Sequence, residues 1–188
     1  VMLDRLEFCT EDVARLGLIA SAGVTVDSDA AQQARDLADE AATSHALGRL
    51  QGFLERVRAA AQDGGPIERA HLATAEADAV RATGVPDPAP YGAAAAAWEA
   101  IERPYPGALA RWREAEAHFA LGDRDGATGA AEAAHATAVR LGSAWLQAEI
   151  ESFSARARLR VGDAAATAPT ADGDAGPAAA DEDPFGLT

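Results

Sequence analysis

The chain has 188 residues, among them 51 alanines, 16 arginines and no lysine, and its 30 acids against 16 bases give a net charge of −14. Only 40 of its 91 hydrophobic residues are larger than alanine. That is too little bulk for a thick β-sandwich or barrel core but enough for closely approaching helices, where alanine has the highest propensity. The acidic balance excludes non-specific nucleic-acid binding through a basic surface, and the missing lysine excludes a P-loop and a Schiff-base nucleophile.

The chain opens VMLDRLEF, with two acids and no apolar run of signal length, so no targeting peptide is expected. Val1-Met2 followed at once by a helical pattern suggests a piece cut from a longer chain. The turn Leu3 to Phe8 reads as the frayed end of a helix. The lone Cys9 cannot form an internal disulfide, which favours a cytoplasmic protein. Beside Leu6 and Phe8 it reads as a small core residue rather than a nucleophile. No stretch approaches the ~20 apolar residues of a membrane span.

Seven helical stretches follow. The first is expected over Thr10 to Ala22, with Thr10 as N-cap and Glu11 and Asp12 at the positive end of the dipole. Gly23-Val24-Thr25-Val26 reads as an extended linker. Ser28 then caps a long helix to about Ala61, where Leu47, Leu50, Leu54, Val57 and Ala61 form an apolar seam. Gly48 and Gly52 weaken its middle. Asp63-Gly64-Gly65 ends it, and Pro66 opens a third helix that runs to Thr83.

Pro86, Pro88 and Pro90 make a stiff connector. The fourth helix is expected over Tyr91 to Glu102 and the fifth over Pro106 to Leu121, with Ala108, Trp112, Ala115 and Phe119 on one face. After the Gly122-Asp123 turn, the sixth runs from Asp123 to Leu141, with Ala127, Ala131, Ala134, Ala138 and Leu141 at alternating spacings of four and three. Ser143 caps the seventh, which extends to about Val161 and is lined by Leu146, Ile150, Phe153 and Ala157. Residues 162–183 hold six acids, no base and no aromatic residue. Such a segment buries too little apolar surface to offset its ordering entropy and reads as a disordered acidic linker. Short connections make neighbouring helices antiparallel. The expected fold is all-α, with helical hairpins stacked into an open superhelix over residues 1–161.

Little in this pattern points to chemistry. His45, His71, His118 and His135 form no HExxH or paired-histidine motif. Glu114 and His118 lie one turn apart and read as a helix-surface contact rather than a metal or acid–base pair. His135 reads as a half-exposed packing residue. The carboxylate pairs Glu114/Glu116 and Glu149/Glu151 are solvated helix faces. Gly122, Gly126 and Gly129 lack the strand and the Lys-Ser or Lys-Thr of a phosphate loop. Arg156, Arg158 and Arg160 suit a helix C-terminus. Trp98, Trp112 and Trp145 fit packing between layers better than a ligand groove. No residue is therefore assigned a catalytic, cofactor-binding or metal-binding role.

Ala108 to Leu141 resembles one tetratricopeptide-type repeat, with Ala115, His118-Phe119, Gly122-Asp123, Ala127 and Ala134 at the pattern's positions. It departs from that pattern in having Arg111 where a tryptophan is usual, with Trp112 one place later, and in lacking the closing proline. The run PDPAPYGAAAAAWEAIERPYPGALARWREAEAHFALGDRDGA, Pro86 to Ala127, is similar to a segment of large actinobacterial LuxR-type transcription regulators. The ending Asp183-Pro184-Phe185-Gly186-Leu187-Thr188 resembles the approach to their helix-turn-helix domain, so that 184–188 would be its truncated start.

The resemblance covers roughly Asp63 to Thr188; residues 1 to 60 carry no nameable motif. It implies a degenerate TPR-like array without catalytic activity, set between an ATPase module and a DNA-binding domain. Such an array relays the state of a protein or small-molecule effector, and contacts DNA only through the missing C-terminal domain. The alternative is a free-standing TPR-like scaffold for protein–protein interaction. The oligomeric state is left open.

Overall fold

The computed structural model describes residues 13–161. Seven helices follow one another: α1 Val13–Asp36, α2 Glu40–Gln62, α3 Pro66–Ala82, α4 Ala89–Glu99, α5 Pro104–Ala120, α6 Arg124–Arg140 and α7 Ala144–Ala157. No strand occurs among the described residues, so this part of the chain is all-α. None of these helices is long and apolar enough to cross a membrane. The expectations for Leu3 to Phe8, Cys9, Thr10, the 162–183 linker and the 184–188 helix-turn-helix start lie outside the described residues.

Most of the turns share one device. At Ala38, Glu102, Gly122, Gly142 and Arg158 the backbone enters the left-handed region, with φ between 54° and 78°. The following N–H then reaches back five residues, as in Asp39 N to Ala34 O at 2.8 Å, Asp123 N to His118 O at 3.0 Å and Ser143 N to Ala138 O at 3.0 Å. These bonds satisfy carbonyls that a helix end leaves open. The next helix is then capped: Asp39 accepts from Ala42 N at 2.9 Å and Asp123 from Gly126 N at 3.0 Å. A carboxylate there also suits the helix dipole.

The first break differs from expectation. Gly23 to Val26 is not a linker; α1 runs unbroken through it to Asp36, and the chain reverses at Leu37-Ala38-Asp39 instead. Gly23 is there for packing: a Cβ at that position would lie 2.8 Å from the Phe53 ring of α2. Gly17 likewise faces the Ala60 Cβ, at 3.0 Å from where its own Cβ would stand. Both glycines let α1 and α2 approach closely, so they favour this helix pair over a chain break. Ser28, expected as a cap, is fully buried within α1. Other boundaries move by one to four residues, and α2 continues through Gly48 and Gly52 without interruption.

Consecutive helices pack on one another, and α1 also packs on α3. The apolar residues fall into two main clusters. The first joins α1, α2 and α3 through Ala20, Val24, Leu50, Leu54, Val57 and Ala75. Burying each of its larger aliphatic side chains contributes ~1.5–3 kcal/mol. The second joins α5, α6 and α7 through Trp112, Ala131, Ala134, Leu146, Ile150 and Phe153. Between them lies a small all-alanine contact of Ala94, Ala95 and Ala110, with Ala73 beside it. The two halves therefore meet largely through α4.

Candidate functional site

A cavity of about 370 Å³ opens at this junction. One wall comes from α1 (Leu18, Ser21, Ala22, Thr25) and α3 (His71, Thr74, Asp78). The other comes from Leu109, Trp112 and Arg113 of α5, with Tyr91 and Trp98 of α4 at the base and Trp145 of α7 at the far rim. Its lining is mostly apolar and aromatic with a few convergent polar groups, the usual composition of a small-molecule site.

The polar centre is Asp78, only 3% exposed. Thr25 donates its hydroxyl to Oδ2 and Tyr91 donates its hydroxyl to Oδ1, each at 2.6 Å. Burial pushes the Asp78 carboxyl above its ordinary pKa, although both hydroxyls and the more distant Arg113 and Arg81 favour the charged form. Tyr91 is raised by its own burial and then by the adjacent carboxylate. The His71 imidazole is held below its usual value, mainly by burial, with Glu68 opposing.

Around this centre runs an ionic network. Arg81 Nη1 donates to Asp29 Oδ1 at 2.6 Å and to Ser28 Oγ at 3.1 Å. Arg113 meets Glu116 at 2.8 Å and Asp29 at 3.6 Å. Burial works against the charge on Arg113, but Glu116, Asp29 and Tyr91 outweigh it and hold the guanidinium protonated. Below it, Asp27 is 2% exposed and accepts from Arg49 Nε at 3.1 Å. This places a hydrogen-bonded ion pair between α1 and α2.

The aromatic side chains that line the cavity form two edge-to-face pairs. His71 meets Trp98 at 4.8 Å between centroids, and Trp112 meets Trp145 at 6.3 Å. The Trp98 indole N–H donates to Thr74 Oγ1 at 2.8 Å. That of Trp112 is buried without an acceptor among the described residues, a cost of ~1–3 kcal/mol. Trp98 and Trp112 are buried, as layer packing requires, while Trp145 is 57% exposed. All three nevertheless line the one cavity, so the choice between packing and groove was a false one for these residues.

The other singled-out residues do not gather here. His118 does not meet Glu114. Its Nδ1 lies 2.8 Å from Asp123 Oδ2, while Glu114 takes Arg111 at 2.9 Å. Gly126 leaves room for this pair, since a Cβ there would collide with both partners. The pKa of Asp123 is lowered, first by the Gly126 N–H and then by His118. His135 bonds Glu151 at 3.0 Å between α6 and α7, which lowers the Glu151 pKa. Arg156 holds Ser152 Oγ at 2.5 Å, within the last turns of α7. Among the described residues no group of three or more His, Cys, Asp or Glu side chains is placed to hold a metal ion.

The sequence reading missed Asp78, Thr25 and Tyr91. A signal for Asp78 existed: Ala75, Asp78 and Ala82 stand at spacings of three and four, which puts an acid in a buried alanine stripe. Comparison of the chain with protein-family models, with curated proteins and with solved structures finds no match.

Proposed function

We propose that this chain is the helical-array segment of a LuxR-type transcription regulator, without catalytic activity of its own, and that its cavity holds an effector whose occupancy is relayed to a C-terminal DNA-binding domain. The observation that carries the reading is the position of the cavity. It is lined from α1 and α3 on one side and from α5 and α7 on the other, while those two groups of helices otherwise meet largely through α4. A molecule held there touches both halves and favours one relative tilt, and a ligand shifts such an equilibrium by its differential affinity for the two arrangements.

The TPR-like character of the array is part of the same proposal. Ala115, Ala127 and Ala134, the small residues of the repeat pattern, are fully buried in the α5–α6 hairpin. Successive helices open at Pro104, Arg124 and Ala144, 20 residues apart. A two-helix hairpin therefore repeats after 40 residues, from Pro104 to Ala144, more than the ~34 residues of a tetratricopeptide repeat, which suits the description of the repeat as degenerate. The resemblance of Pro86 to Ala127 and of the FGLT ending to LuxR-type regulators supplies the remaining support.

The test is the parent reading frame together with a promoter reporter driven by the parent protein. The frame is expected to continue past Thr188 into a helix-turn-helix pattern. Filling the cavity with Ala22→Phe is expected to lock the reporter in one state. A continuation without that pattern, or a reporter indifferent to the filled cavity, overturns the proposal. A free-standing interaction scaffold is the second reading, favoured by exposed Leu121, Val139 and Leu141 towards the α6–α7 end; a stop codon directly after Thr188 would select it.

A further inference from the structure

Two charged side chains line the cavity, Asp78 and Arg113, and Arg81 acts on Asp78 from outside that lining. Both arginines are engaged elsewhere: Arg81 with Asp29 at 2.6 Å, Arg113 with Glu116 at 2.8 Å. Asp78 instead takes two hydroxyls, from Thr25 and Tyr91. It is therefore a buried carboxylate whose charge is only distantly compensated, and it lines an otherwise apolar cavity. Burying a charge in this way is costly, and an incoming cation relieves the cost.

The aromatic walls point the same way. The faces of tryptophan rings attract cations through their quadrupole. One cation already stands on this wall, with the Arg113 guanidinium carbon 4.8 Å from the Trp112 ring centroid. Trp145, half exposed, stands beside Trp112 at the rim. The net charge of −14 on the whole chain adds a long-range attraction for positive ligands. An anion would meet the Asp78 carboxylate and would find Arg113 already engaged by Glu116.

We propose that the cavity binds a hydrophobic organic cation, an ammonium or quaternary ammonium group on an aromatic or aliphatic body, with its charge towards Asp78 and its body between Trp98 and the Trp112–Trp145 pair. This rests on the reading of the cavity as an effector site and names the effector's chemical class. A volume of about 370 Å³ admits a compact molecule of this kind.

Tryptophan fluorescence is a direct readout, because all three tryptophans of the chain line the cavity. The full chain is titrated with benzyltrimethylammonium and with its uncharged near-isostere 2-methyl-1-phenyl-2-propanol. The cation is expected to bind about tenfold more tightly than the alcohol. In Asp78→Asn that ratio is expected to fall to about one, with the alcohol's affinity unchanged. Trp145→Ala, at a position 57% exposed, is expected to weaken the cation severalfold and gives a second variant should Asp78→Asn misfold. Equal or tighter binding of the alcohol to the wild type overturns the cation assignment while leaving the effector cavity standing. Retention of the cation's advantage in Asp78→Asn overturns it as well. Failure of both compounds to bind at millimolar concentration overturns this assignment and the effector cavity together.

Discussion

Replacing Asp78 with alanine is expected to destabilise the fold by ~1–2 kcal/mol, and the size follows from what its neighbours lose. The Tyr91 hydroxyl sits in a side chain only 3% exposed. Without Asp78 Oδ1 at 2.6 Å it becomes an unsatisfied buried donor, at ~1–3 kcal/mol. Thr25 is better placed, because its hydroxyl also lies 3.3 Å from the Ser21 carbonyl and falls back on that bond. Removing the carboxylate relieves its own desolvation, which trims the net loss. Tyr91→Phe alone leaves one Asp78 oxygen without a partner and is expected to cost ~1 kcal/mol.

In the double variant, Asp78→Ala with Tyr91→Phe, neither partner is left stranded. It is expected to be more stable than the sum of the single losses by ~1–2 kcal/mol. Urea unfolding followed by tryptophan fluorescence measures all four proteins, provided the denaturant slope is unchanged across the set. Strictly additive losses would refute the account, because they would mean that the two groups do not satisfy each other.

Three further outcomes test the rest of the structure. Burial raises the Asp78 pKa above its ordinary 3.8, so the folded state holds this proton more tightly than the unfolded state; the stabilisation is complete below pH 3.8 and is lost as pH rises through the folded value. Since other carboxylates titrate in the same range, the quantity to measure is wild-type stability minus that of Asp78→Asn. It is expected to fall with rising pH, and a rising difference contradicts the burial argument. Gly23→Ala places a methyl group against the Phe53 ring and is expected to destabilise by ~1 kcal/mol, whereas in a Phe53→Ala background the same change stabilises by up to ~1 kcal/mol through helix propensity; thermal melts showing the same sign in both backgrounds would refute the close approach. Ala38→Gly, at φ 55°, is expected to stabilise by up to ~1 kcal/mol, and a loss of stability in urea would place the chain reversal elsewhere.

The recurrent local features of this protein were legible in its residues. Gly122-Asp123 and Gly142-Ser143 announce tight reversals, because glycine accepts a left-handed backbone and the following polar residue suits a helix start. The alanines at 127, 131, 134 and 138 announce a close crossing, and all four are fully buried. These signals are local, so composition and spacing carry them. The reversal at Ala38 was hidden because an alanine, not a glycine, takes the left-handed position there.

The fate of Gly23 depended on Phe53, thirty residues further along, and only the packing of α1 against α2 made the glycine a contact rather than a break. The cavity depended on tertiary structure still more. Thr25, Asp78 and Tyr91 come from three helices, and Thr25 and Asp78 are separated by 53 positions in the chain. Periodicity places each residue on a face of its own helix, but it does not say which faces meet. What unites a buried acid, two hydroxyls and three tryptophans is the way α1 and α3 pack on one side of α4 and α5 on the other, a property of the assembled helices and of no segment alone.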